Sequence, residues 1–129
     1  MSFILVVSRN ASCRRLYVDN LVRRGYVAVG VASALETENL LNSVMPDLVL
    51  ICCMPTAYEP DVERFRRALG LVKTPIVLMS QDTPDPAWLA EWNVSLCATD
   101  LVDLRQLVEI LRPWLPVKPQ AWQKSPATK

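Results

Sequence analysis

Two uninterrupted apolar runs do most to narrow what this chain can fold into. Phe3-Ile4-Leu5-Val6-Val7 is one, and Leu48-Val49-Leu50-Ile51-Cys52-Cys53 is the other. Neither alternates apolar with polar residues. Runs like these, rich in branched side chains, suit strands of a parallel sheet that is covered on both faces. Between them, Asn10 or Ser12 can cap a helix that runs to about Arg24. Gly25 ends it, since glycine takes the left-handed conformation of a helix end without strain. A second strand is expected over 26–31. A second helix should start at Ser33 or Ala34 and reach about Val44, where Met45-Pro46 breaks it.

The same alternation continues. A third strand covers 47–53, and a helix over 61–69 aligns Val62, Phe65 and Leu69. Pro75 leads into a strand over 76–79. Pro84 and Pro86 force a loop, followed by a short helix over 87–92 and a strand over 94–98. The last helix, 102–114, carries Leu104, Leu107, Val108 and Leu111 on one stripe. Strands alternating with helices predict an α/β domain, a doubly wound five-stranded parallel sheet in three layers, α/β/α. Right-handed crossovers give a flavodoxin-like strand order, 2-1-3-4-5. The domain is expected to span 1–116, with a flexible tail over 117–129 that is polar and rich in proline and lysine.

Composition removes several function classes. The 129 residues include no histidine, so a Ser-His-Asp or Cys-His hydrolase is excluded. A net charge of +1 gives no overall attraction to nucleic acid or an anionic membrane. The apolar runs fall far short of the roughly 20 residues of a membrane-spanning helix. Phe3–Val7 lacks the basic flank and cleavage site of a signal peptide, so a cytoplasmic location is expected. Four cysteines at irregular spacings do not form a disulfide framework.

In a doubly wound sheet, ligands sit at the carboxyl ends of the strands beside the switch in strand order. Ser8-Arg9-Asn10, Cys52-Cys53-Met54-Pro55, Ser80-Gln81-Asp82 and Ala98-Thr99-Asp100 converge there. The strings Phe3–Asn10 and Pro46–Pro55 resemble the first and third strands of two-component response regulator receiver domains, CheY-like proteins, over residues 3–115. The resemblance implies a site in which an acidic pair holds magnesium, an aspartate takes the phosphoryl group, a Ser or Thr binds it and a lysine stabilises it. Here those positions carry Ser8 and Arg9, Cys52 (or Ile51), Ser80 and Thr99. Only Ser80 keeps its family type. The family's aromatic switch falls on Leu96. The only lysine before residue 118, Lys73, and Asp47 both stand at the opposite end of the sheet.

The chain is therefore read as an atypical pseudo-receiver without its own phosphorylation chemistry. It is taken as a stand-alone, non-enzymatic module that signals by protein–protein contact, with a histidine kinase or an output protein as partner. No catalytic residue, cofactor or metal is assigned. Arg9 is expected to fill the metal position and pair with Asp82, Asp100 or Glu59. Trp88, Trp92, Leu96, Leu101, Val102 and Ile110 are expected to form the partner face, or a homodimer face, against the alternative that a tryptophan covers the core. Cys52 is expected to pack as a small apolar residue; the alternative is a thiol-, redox- or ligand-responsive switch working through Cys52 and Arg9. The pairs Arg14-Arg15, Arg23-Arg24 and Arg66-Arg67 read as solvated helix faces.

Overall fold

A computed structural model describes residues 2–37, 45–52, 59–69, 74–79, 84–97 and 106–115, with only the backbone of 96 and 97. Five strands form one sheet: β1 (Phe3–Val7), β2 (Val27–Val31), β3 (Leu48–Ile51), β4 (Ile76–Met79) and β5 (Val94–Cys97). All neighbours are parallel and the order is β2-β1-β3-β4-β5. The expected flavodoxin-like topology is the one observed.

The apolar runs explain the layering. Every residue of β1, β3 and β4 is buried. Phe3, Leu5 and Val7 face one side with Val49, Ile51, Ile76 and Leu78. Ile4 and Val6 face the other with Leu48, Leu50, Val77 and Met79. Side chains alternate across the sheet, so a strand that is apolar throughout needs a helical layer on each face. The first face receives α2 (Glu59–Leu69) through Val62, Phe65 and Leu69, and α3 (Pro86–Glu91) through Trp88 and Leu89. The second receives α1 (Ala11–Arg23) through Tyr17 and Leu21, and α4 (Leu107–Leu111). No helix among the described residues is long and apolar enough to cross a membrane.

Local signals act where expected. The Asn10 side chain caps α1 by accepting from the Cys13 N–H, and Gly25 has φ +93°. The buried stripe of α1 is Tyr17 and Leu21, while Leu16 and Val22 are exposed. Some expectations need correction. The described part of the second helical segment is a 3-10 turn, Ala34–Thr37; the rest lies outside the described residues. The described part of the final helix is Leu107–Leu111, which tightens into a 3-10 turn at Arg112–Trp114, where Pro113 supplies no N–H for an α-helical bond; residues 102–105 lie outside the described residues. The tail over 117–129 lies outside the described residues.

The largest correction concerns Arg66, which is fully buried rather than solvated. Its guanidinium donates to three carbonyls: Thr74 at 2.7 Å, Trp92 at 2.9 Å and Asn93 at 2.9 Å. Asn93 has φ 53°, a conformation asparagine tolerates better than most residues, in the turn that joins α3 to β5. One cation thus pins α2 to the approach of β4 and to the α3–β5 turn. Burial lowers its pKa from the ordinary arginine value. Buried carbonyls left without donors cost about 1–3 kcal/mol each. Arg66→Leu should therefore lose about 3 kcal/mol or more of stability in urea titrations, with Arg66→Lys intermediate. A loss below about 0.5 kcal/mol, the range of neutral surface changes, would contradict this account.

Candidate functional site

The site is expected at the carboxyl ends of β1 and β3, and two arginines stand in the described part of that region. Ser8 follows β1 directly. Its N–H donates to the Val31 carbonyl at 3.0 Å. Its hydroxyl is buried and turned back on the chain, accepting from the Asn10 N–H at 3.2 Å and contacting the Asn10 carbonyl at 3.3 Å. This hydroxyl is engaged in shaping the turn into α1.

Arg9 reaches to the first turn of α2. Its Nη2 donates to Asp61 Oδ2 at 2.8 Å, and Asp61 Oδ1 accepts from the Ala34 N–H at 2.9 Å. The carboxylate therefore joins the end of β1, the start of the 3-10 turn and α2. The two partners are unequally exposed, 49% for the Arg9 side chain and 9% for that of Asp61. The internal pairing of Arg9 was expected, but with a different acid. Glu59 lies on the exposed side of α2, whereas Asp61 shares the buried stripe with Phe65 and Leu69. Asp82 and Asp100 lie outside the described residues.

Arg14 brings a second guanidinium to the same turn, donating from Nη1 to the Ser8 carbonyl at 2.7 Å. Its aliphatic stem runs directly over Gly30 of β2, where an added Cβ would lie 2.6 Å from Arg14 Cγ. Glycine is required here for close approach. The pair Arg14-Arg15, expected on a solvated face, is thus split: Arg15 is exposed and Arg14 is partly buried against the sheet edge.

Cys52 continues β3, its N–H donating to the Val7 carbonyl at 3.0 Å. Its side chain is fully buried among Ile4, Val6, Leu50 and Met79, in the layer of α1 and α4. It is a free thiol, and burial pushes its pKa from 9.0 up to about 12. This corrects the alternative of a low-pKa cysteine activated by Arg9. Cys13, in the first turn of α1, is disulfide-bonded, and its partner sulfur lies outside the described residues. Ser80 and Thr99 also lie outside them. Asp47 accepts from the Phe3 N–H at 2.7 Å at the far end of the sheet.

Trp88 and Trp92 are half-buried and pack against the core in the layer of α2. Trp88 Nε1 donates to Glu63 at 3.0 Å, and the Arg67 guanidinium stands 5.4 Å from the centre of the Trp92 ring. Ile110, also half-buried, is on α4 in the other layer. Leu101, Val102 and the side chain of Leu96 lie outside the described residues. Among the described residues, no three His, Cys, Asp or Glu side chains gather as a metal site. A hard divalent cation needs several oxygen ligands, and here the strand end presents a guanidinium instead. Asp61 and Arg14 at this strand end, and the buried Arg66, are the residues whose partners sequence reasoning missed. Asp61 and Arg66 lie on the stripe of Val62, Phe65 and Leu69, a signal available in the spacing.

Solved structures share this architecture. Chemotaxis response regulator CheY4 of Vibrio cholerae superposes with a TM-score of 0.74 at 17% identity, covering 89% of this chain and 99% of that one. A CheY-like response regulator receiver domain protein from Methanospirillum hungatei gives 0.71 at 19%, covering 88% and 94%. HP1043, an orphan response regulator of H. pylori, gives 0.70 at 16%, covering 89% and 97%. The chain has the fold of CheY-like receiver domains. No protein-family model matches the sequence, and no curated protein matches it either.

Asp61 is buried and serves two donors, while Arg9 is half exposed. Asp61→Ala should therefore cost about 2 kcal/mol and Arg9→Ala less than about 1 kcal/mol, measured by chemical denaturation; the reverse order would refute this geometry. A thiol with a raised folded pKa stabilises the fold fully below its unfolded pKa. That contribution fades as pH rises from about 9 towards about 12. Across that window wild type should lose more stability than Cys52→Ala, and native Cys52 should label slowly with thiol reagents. Parallel alkaline profiles, or rapid labelling, would contradict the burial of this side chain.

Proposed function

We propose that this chain is a pseudo-receiver, a non-enzymatic signalling module that works by protein–protein contact without aspartyl phosphorylation. The observation that carries the reading is the Arg9–Asp61 ion pair. It stands where the receiver resemblance calls for acids that hold magnesium. A guanidinium is permanently charged and repels a divalent cation, so Arg9 supplies from within the chain a positive charge that receivers take from solution. The phosphoacceptor position adds to this: whether it falls on Cys52 or Ile51, it offers a buried side chain that is not a carboxylate.

In this reading the pocket residues Ser8, Arg9 and Cys52 hold one conformation, and Ser80 and Thr99 remain candidates for the same pocket. The partner is a histidine kinase or an output protein of a two-component pathway. Ile110, Leu101, Val102 and Leu96 remain candidates for the contact face, which a second copy could also use. Trp88 and Trp92 contribute to it only through the parts of their rings left outside the core.

A redox-responsive reading gains support from one observation, the disulfide at Cys13. Disulfides in reducing compartments are commonly transient or sensing. A working switch would use Cys13 rather than Cys52. Intact mass after alkylation, with and without reductant, should separate it from the first reading: a bond that resists millimolar dithiothreitol in the native protein counts against a switch.

The deciding experiment is a titration with magnesium and then magnesium plus beryllofluoride, followed by tryptophan fluorescence, alongside acetyl phosphate with intact-mass detection. No spectral change and no added phosphoryl mass are expected. A saturable change, or a mass gain of one phosphoryl group, would overturn the proposal.

A further inference from the structure

We propose that α2 is a stiff link through which the state of the Arg9–Asp61 pair is felt at the indole rings of Trp88 on α3 and Trp92 just after it. Four side chains of this one helix make the connection. Asp61 binds Arg9 and the Ala34 N–H at the carboxyl ends of the strands. Glu63 accepts from Trp88 Nε1. Arg66 donates to the carbonyls of Trp92 and Asn93. Arg67 lies over the Trp92 ring and pairs with Glu63 at 3.6 Å. At about 1.5 Å per residue, the contacts span about 9 Å of helix from the strand-end pocket to the α3–β5 turn.

The route works because neither end of α2 can relax alone. Asp61 is buried, so losing Arg9 leaves a carboxylate with one fewer donor and forces it to find water or to move. The helix between Asp61 and Arg67 is continuous, and Val62 and Phe65 pack it into the core. A shift of the first turn therefore passes to Arg66 and Arg67 as a rigid displacement or tilt. Arg66 is enclosed, with two donors committed to carbonyls of the α3–β5 turn and a third to the Thr74 carbonyl. The path implied by the receiver resemblance, through an aromatic on strand five, falls on Leu96. Here the aromatic rings are instead attached to α2.

This link goes beyond the proposed function and does not require it. The test uses the full chain labelled with 5-fluorotryptophan, with fluorine NMR resonances assigned by single Trp→Phe changes. Arg9→Gln and Asp61→Asn break the same pair from either side. Both should shift the Trp88 and Trp92 resonances while leaving Trp114 in place. Trp114 packs in the opposite layer with α1 and α4 and serves as the internal reference. Unmoved Trp88 and Trp92 signals would overturn the link, as would a response to only one variant, or a Trp114 shift as large as theirs, which would signify general loosening. Silent indoles would leave the pseudo-receiver reading standing. A beryllofluoride response would remove that reading and leave the link intact.

Discussion

Helix α2 turns two opposite charges, Asp61 and Arg66, onto the side that faces the sheet, and the surrounding structure is arranged to satisfy both. A buried ion without partners costs several kcal/mol, more than any single apolar contact in this core supplies. The chain answers at each end of the helix with different chemistry. At the strand carboxyl ends it gives Asp61 a cationic side chain and a backbone N–H. At the other end it surrounds Arg66 with backbone carbonyls. Acids near the first turn and bases near the last also complement the helix dipole. Both charges hold α2 in one register over β1, β3 and β4, and so fix the shape of the strand-end site.

The fold was legible because its signals are local. Continuous apolar runs suit strands buried on two faces of a parallel sheet, and Gly25, Met45-Pro46 and Pro75 mark where the chain must turn. Side-chain partners were less legible, since they depend on which residues the fold brings together. Arg66 looked like half of a solvated basic pair, because neighbouring arginines on a helix differ by about 100° and only one of them needs to face water. Arg67 is that one. The same helical spacing, read strictly, assigns both Asp61 and Arg66 to the stripe of Val62, Phe65 and Leu69.

Tryptophan posed a similar problem. Trp88 and Trp92 sit four residues apart on a short helix after a proline loop, a pattern equally suited to an interface anchor and to a lid on the core. The choice depends on Glu63 and Arg67, which hold a polar edge and a ring face from another helix. No spacing rule links residues 63 and 88. Likewise, Arg14 could not be seen to lie on Gly30 without the β1–β2 register.

A receiver that switches does so because two of its charges, a metal ion and a phosphoryl group, are free to leave. At this strand end the cation is Arg9, which is covalently part of the chain and is closed onto Asp61. Among the described residues at this end, it is the geometry of that pair that a contact can change. Arg9 is half exposed, so a partner offering a carboxylate could compete with Asp61 without dehydrating a metal. On the proposed reading, information would then enter by contact at Arg9 rather than by phosphate. The strength of such a signal would be bounded by the modest free energy of one partly exposed ion pair, about 1 kcal/mol, unless the displaced Asp61 carboxylate draws α2 with it.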